Sequence, residues 1–314
     1  MSTRANFSAK WLALREPHDS VARAPDLVEL LRGNGACEER HGGTRTRGAP
    51  PARGVRAIVD LGAGSGANLR WLAPRLGAEQ SWNLVDHDDA LLGAAETALR
   101  AWAARGDAAV SLEPAPRDGG RPELVVRGAD FACRARRTCL DLAADLARIE
   151  LPTHALVTSS ALLDLVSARW LEALAHRCRA AGADAYFALT YDGRTVCTPA
   201  EPEDGEVLEL FNRHQTGDKG FGAALGPAAA RRAPEIFAAL GYRVTTRASD
   251  WRIGAKDPAF QRALLAGWLD AALEIAPQRS DALRTWHAHR LEHVERSRSA
   301  LMIGHVDFVA LGPR

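Results

Sequence analysis

The chain has 314 residues, 46% of them hydrophobic and 25% charged, and its formal net charge is +1. That length allows one large α/β domain with a helical elaboration. The even charge lacks the basic excess expected of a nucleic-acid enzyme, and no apolar run reaches the roughly 18 residues of a membrane-spanning helix.

The five cysteines are Cys37, Cys133, Cys139, Cys178 and Cys197, and none forms a C-x-x-C pair. An odd count in a long chain argues against a disulfide scaffold. The opening stretch, MSTRANFSAKWLALREP, has no signal-peptide pattern. A reducing, cytoplasmic setting is therefore expected. Only three lysines occur, Lys10, Lys219 and Lys256, so arginine carries nearly all the positive charge.

In chain order, residues 8–32 read as helices, with Trp11, Leu12, Leu14, Val21, Leu27, Leu30 and Leu31 at amphipathic spacing. Pro17 is expected to separate two pieces. Residues 33–54 are rich in Gly, Pro and Arg and read as a mobile loop. A strand at 55–61 meets a glycine cluster and passes into a helix, and the plan repeats with a strand at 81–86 and a helix at 88–104. Two segments compete for the third strand, Ala109–Leu112 and Arg134–Leu140, on either side of a polar insert. A strand at 154–159 then runs into a helix. Next come a helix over ARWLEALAHRCRAAG, a strand over DAYFALTYDG, a helix with a glycine-rich loop over EVLELFNRHQTGDKGFGAALGP, and a helix over AAARRAPEIFAALG. YRVTTRASDWRI is a strand, residues 258–299 form two helices broken near Pro277 to Ser280, and LMIGHVDFVALG closes as a strand. Strands alternating with helices predict a doubly wound, mostly parallel α/β sheet.

The chemistry concentrates in Val59-Asp60-Leu61-Gly62-Ala63-Gly64-Ser65-Gly66. Alternate glycines let the backbone turn tightly after a strand and leave bare main chain for a ligand. Asp86 follows Gly66 by twenty residues, at the end of the next predicted strand. A carboxylate there can accept both hydroxyls of a ribose. The string also satisfies the dinucleotide fingerprint G-x-G-x-x-[G/A], which keeps a nicotinamide-dependent oxidoreductase open. Asp60, two positions before the first glycine, speaks against that choice. Negative charge there suits a cationic amino-acid ligand better than a pyrophosphate.

V-D-L-G-A-G-S-G followed by L-V-D resembles the class I S-adenosylmethionine-dependent methyltransferases over roughly residues 55–250, with a return at 301–311. The resemblance implies a seven-stranded Rossmann-like sheet that ends in an antiparallel pair. It implies S-adenosyl-L-methionine as cofactor, held by Asp60, Gly62, Ala63, Gly64, Gly66, Asp86 and His87. It also places Asp141 at the adenine amino group, counts Leu142 and Ser159 among the cofactor-binding residues, and sets Arg15 of an N-terminal capping helix at the cofactor carboxylate. Arg15 also reads as an ordinary ion pair with Asp19, four residues on. The domain plan is an N-terminal helical cap and flexible loop over 1–54 and a methyltransferase domain over 55–314. Residues of about 257–299 form a helical insertion that can cover the substrate side.

The acceptor leaves less signature, because methyl transfer needs chiefly alignment and, at most, one proton removed. Thr158-Ser159-Ser160-Ala161 stands where amino-methylating nucleic-acid enzymes carry an Asp/Asn-Pro-Pro-Tyr-like stretch, and no cysteine is near it for cytosine methylation. O- or N-methylation of a small molecule is expected, with an RNA or protein acceptor, or a non-catalytic relative of the fold, as alternatives. Candidate acceptor-side residues are His214 as a general base, Asp218 and Lys219 as orienting groups, and Tyr191 at the end of the fifth strand. Asp164 interrupts an apolar run near the fourth strand. Trp251 packs either on an acceptor or in the core. His289-Arg290-Leu291-Glu292-His293 matches a zinc-peptidase string, but it lies on a helix polar nearly all round, so no metal is expected.

Overall fold

The computed structural model describes residues 8–34, 55–106, 108–113 and 121–313. The loop expected over 33–54 falls almost wholly outside them.

Two helices open the chain, α1 (Ala9–Ala22) and α2 (Asp26–Asn34). Ser8 caps α1 by accepting from the Trp11 amide at 3.1 Å. Pro17 sits inside α1 and does not end it. Its missing N–H costs the Ala13 carbonyl a partner, and packing of the helix on its neighbours outweighs that loss. Val21, expected on the apolar face, is exposed. The first unit follows as β1 (Arg56–Leu61), α3 (Ala67–Leu76), β2 (Ala78–Asp86) and α4 (Asp89–Ala103). Asp88 caps α4 through the Ala90 and Leu91 amides.

Both candidates for the third strand join the sheet. β3 (Ala109–Glu113) pairs antiparallel with β4 (Glu123–Arg127), and β4 pairs antiparallel with β5 (Phe131–Cys139). Of the two candidates only β5 pairs with β2, in parallel, from Ala78 opposite Phe131 to Asp86 opposite Cys139. A short helix, α5 (Leu142–Asp145), leads to β6 (Leu156–Ser160). Residues 161–167 are turns, and α6 (Ala168–Ala180) begins only after Ser167, which accepts from the Trp170 amide. The helix expected directly after this strand is therefore a loop at its carboxyl end.

β7 (Asp184–Thr198), α7 (Asp204–Gln215), α8 (Ala229–Ala239), β8 (Arg243–Ala248) and β9 (Trp251–Ile253) come next. The insertion is α9 (Pro258–Ile275) and α10 (Ser280–Glu295), and β10 (Ala300–Leu311) closes the chain. The sheet runs β3-β4-β5-β2-β1-β6-β7-β10-β8, with β9 on β10, so it has ten strands where seven were expected. β5, β2, β1, β6 and β7 are parallel. β10 is antiparallel to β7, β8 and β9. The extra strands are the β3–β4 hairpin built on the polar insert and the split of one expected strand into β8 and β9.

β1 lies between β2 and β6, so the chain leaves it at the point where strand order reverses, and the carboxyl ends of all three open on one crevice. On the other half of the sheet, Leu189 has φ +56° and breaks the β7–β10 register between Val306 and Phe308. Its amide is satisfied by Asp307 Oδ1 at 2.7 Å. Asp307 Oδ2 takes the Ala24 amide at 3.0 Å and the Tyr186 hydroxyl at 3.2 Å, which ties the α1–α2 link to the sheet.

Asp307→Ala would leave these buried donors unmatched, each costing about 1–3 kcal/mol. We expect unfolding free energy to fall by about 3 kcal/mol or more in urea titration. A loss under about 1 kcal/mol would show that water replaces the carboxylate.

Candidate functional site

The crevice is built around the turn after β1. Gly62, Gly64 and Gly66 all have positive φ, +67°, +52° and +80°. The Gly62 and Ala63 amides donate to the Val85 carbonyl of β2 at 2.9 and 3.1 Å. The Gly64 amide donates to Asp86 Oδ2 at 2.8 Å, and Asp86 Oδ1 takes the Asp88 amide at 2.9 Å. Two backbone donors thus fix the Asp86 carboxylate, and roughly two of its four acceptor positions stay open. His87 Nδ1 lies 3.3 Å from the same carboxylate.

α1 closes the top of the crevice. Leu12, Arg15 and Asp19 share one helix face and line it. Arg70 of α3 holds α1 down, with Nε and Nη2 each 2.7 Å from Glu16 and Nη1 on the Ser65 carbonyl at 2.6 Å. A methyl on Gly64 would come within 3.2 Å of Leu12 Cδ1, so the bare backbone is what keeps space between loop and lid. The cleft contains about 1020 Å³ of empty space, part of it open to solvent. Leu91, Leu142, Ser160, Leu162, Leu165, Lys219 and Phe221 complete its walls.

Behind the loop lies a buried polar cluster. Asn68 Nδ2 donates to Asp60 Oδ1 at 2.8 Å and to Thr158 Oγ1 at 3.0 Å. Arg23 donates to Asn68 Oδ1 and to Ser160 Oγ, both at 2.8 Å, and lies over Trp71. Asp60 Oδ2 has no protein partner. Complete burial pushes the Asp60 carboxyl up to about 7, against the lowering pull of the Asn68 hydrogen bond and the Arg23 charge.

Of the residues expected at the cofactor, Gly62, Ala63, Gly64, Asp86, His87, Leu142 and Arg15 line the cleft. Asp60 stands one layer back behind Asn68. Gly66 caps α3 in the left-handed region, Asp141 caps α5 through the Ala143 amide at 3.0 Å, and Ser159 is buried outside the cleft wall. The Arg15–Asp19 pair forms, at 3.0 and 3.3 Å, but it is half-buried against Trp251 and not on the surface.

The acceptor-side residues separate. Lys219 lines the cleft, whereas His214 sits behind it, Nδ1 3.2 Å from Lys219 Nζ and Nε2 3.0 Å from Glu274 Oε2. Asp218 folds its own loop by accepting from the Gly220 and Gly222 amides. Tyr191 is buried, its hydroxyl 2.7 Å from Asn212 Oδ1. Trp251 is a core residue, its indole N–H donating to Asp19 at 3.0 Å. Asp164 is half-buried outside the cleft wall, and desolvation of its carboxyl pushes it up to about 6. In the zinc-peptidase string, Arg290 is buried and bound to Asp204, while His289 and His293 both face Glu201. Among the described residues no cluster suited to a metal ion occurs.

Sequence reasoning missed Asn68, Ser160, Leu162, Leu165 and Glu274. Asn68 had a legible signal, a polar residue two positions after the last glycine of the turn. Glu274 had none, because only packing of α9 on α7 brings it to His214.

No protein-family profile and no curated protein matches the sequence. Several solved structures share its length. A cyclopropane synthase of Mycobacterium tuberculosis is 11% identical, with a TM-score of 0.43, over 98% of this chain and 96% of that one. A cyclopropane-fatty-acyl-phospholipid synthase-like protein of Lactobacillus casei is 14% identical, with a TM-score of 0.42, over 94% and 98%. A methyltransferase of Thiobacillus denitrificans, solved with S-adenosyl-L-homocysteine, is 14% identical, with a TM-score of 0.38, over 97% and 99%. Likenesses this distant leave function to the chemistry of the cleft itself.

The Asp60 carboxyl makes a checkable linkage. Its folded pKa is raised, so the stability it contributes is present below 3.8 and lost as pH rises through about 7. Between pH 5 and 8 wild type should lose on the order of 2–3 kcal/mol that Asp60→Asn does not lose, at about 1.4 kcal/mol per unit. Parallel pH dependence of the two proteins in urea titration would show that Asp60 ionises freely.

Proposed function

We propose that this chain is an S-adenosylmethionine-dependent methyltransferase acting on an oxygen or nitrogen of a small molecule. The observation that carries the proposal is Asp86. It ends β2 beside the bare glycine turn, fixed by two amides and still open to a ligand at the cleft wall. Such a carboxylate matches the paired hydroxyls of a ribose.

The polar chemistry fits this cofactor. Asp60 stands behind the loop and orients Asn68 by accepting its Nδ2–H, and Asn68 lines the cleft as a polar group. A dinucleotide would bring a pyrophosphate to the same loop, where the Gly62, Ala63 and Gly64 amides it needs are already donated to the Val85 carbonyl and Asp86. Gly62, Ala63, Gly64 and Asp86 would hold the cofactor, with Arg15 at its carboxylate and Leu91 and Leu142 against its base. When bound, S-adenosylmethionine supplies an electrophilic methyl group on a sulfonium. The chain's contribution is to align an acceptor and exclude water: α1 and the loop carrying Phe221 cover the cleft, and apolar Leu12, Leu162 and Leu165 desolvate it. The apolar lining by Leu12, Leu162, Leu165 and Phe221 favours a small acceptor over RNA, whose phosphates call for clustered cations.

Calorimetry with S-adenosylhomocysteine, with NAD in parallel, tests this reading. Wild type should bind the former and not NAD. Asp86→Ala should weaken it by about 10–150-fold, the worth of a charged hydrogen bond of about 1.5–3 kcal/mol. Binding of NAD alone would make the chain a nicotinamide enzyme, and binding of neither a non-catalytic relative of the fold.

A further inference from the structure

We propose that Lys219 anchors a carboxylate on the methyl acceptor, with His214 and Glu274 aiming it, and that the acceptor is a small, largely apolar or aromatic monocarboxylate. The proposal rests on the cofactor reading above and adds the acceptor's chemical class.

Lys219 stands in the cleft wall, and its Nζ has one hydrogen-bond partner among the described residues, His214 Nδ1 at 3.2 Å. An ammonium carries three donors, so two remain for a ligand. The imidazole is fixed from behind, because Nε2 lies 3.0 Å from Glu274 Oε2. A carboxylate there takes the Nε2–H and leaves Nδ1 as the acceptor that faces Lys219. Three side chains from α7, its following loop and α9 thus form a directed line from solvent to cleft.

This line presents charge and does not collect a proton. The lysine nitrogen is a donor and the imidazole Nδ1 facing it an acceptor, so Lys219 keeps its charge at the cleft with His214 behind it. Burial lowers the Lys219 pKa, and the Glu274 charge pulls it back up. The other cation in the wall, Arg15, is already matched by Asp19 through two hydrogen bonds. Lys219 is therefore the cleft cation without a direct carboxylate among the described residues.

The surroundings choose the anion. Phe221, edge-on to Trp170 at 5.3 Å, stands with Leu165 and Leu12 in the same wall. In an apolar setting one ammonium balances one negative charge, and the second charge of a phosphate monoester would be buried unmatched. A planar monocarboxylate on an apolar body satisfies both conditions.

The test uses protein saturated with S-adenosylhomocysteine and titrated with benzoate and with its neutral isostere benzamide, followed by ligand-observed NMR. Wild type should bind benzoate at least tenfold more tightly than benzamide. Lys219→Met should abolish the preference, Lys219→Arg should keep most of it, and Glu274→Gln should narrow it. S-adenosylhomocysteine affinity should stay within threefold in all variants, which also shows that they fold. Equal binding of the two probes, binding of neither, or a preference that survives Lys219→Met would overturn the proposal. A tenfold loss of S-adenosylhomocysteine affinity in Lys219→Met would also overturn it, by assigning the lysine to the cofactor's own carboxylate. Failure of wild type to bind S-adenosylhomocysteine would appear before any benzoate is added, and would sink the cofactor reading together with this one.

Discussion

The hydrogen bond from the Gly64 amide to Asp86, at 2.8 Å, joins the turn after β1 to the end of β2. It needs a residue with φ near +52° at Gly64, a carboxylate at the last position of β2, and a register that sets Leu61 beside Val85. Each condition is local and cheap to encode. Together they place a charged acceptor against bare backbone at the reversal point of the sheet, where side chains from three strands converge. α1 and the acceptor loop are then placed relative to that corner.

The charges beneath the corner oppose ordinary solvation. Asp60 is fully buried and Asp164 half-buried, and desolvation pushes their carboxyls up to about 7 and 6. His305 is pushed down to about 3 by its burial, with Arg15 adding to the effect. Groups like these weaken the fold unless something compensates them. Arg23 and Asn68 compensate part, through short hydrogen bonds, yet Asp60 Oδ2 and Asp164 Oδ1 keep no partner. Unmatched buried acceptors around a cleft are the trade of stability for binding expected at a functional site.

The insertion near the end of the chain does more than cover an edge. Phe260 of α9 meets Trp11 and His18 of α1 and Trp251 of β9, at centroid distances of 4.4–5.5 Å. The far end of α9 supplies Glu274 to His214. One helix thus contacts the lid at one end and, through His214, the acceptor-side lysine at the other.

The sequence alone determined the alternation of strands and helices, the glycine turn and the carboxylate twenty residues beyond it. These are encoded within windows of a few residues, by periodicity and by the conformational freedom of glycine. It did not determine which of two segments lies parallel to β2, because Ala109–Glu113 and Phe131–Cys139 both form strands and only the pairing across the sheet separates their roles. It marked Pro17 as a break, although packing holds α1 continuous. It grouped His214, Asp218, Lys219 and Tyr191 by their place after one strand, whereas tertiary structure sends only Lys219 into the cleft wall. The reason is geometric. Direction of a side chain within a loop follows from long-range contacts, such as Glu274 on His214 across sixty residues of sequence, and no local pattern records them.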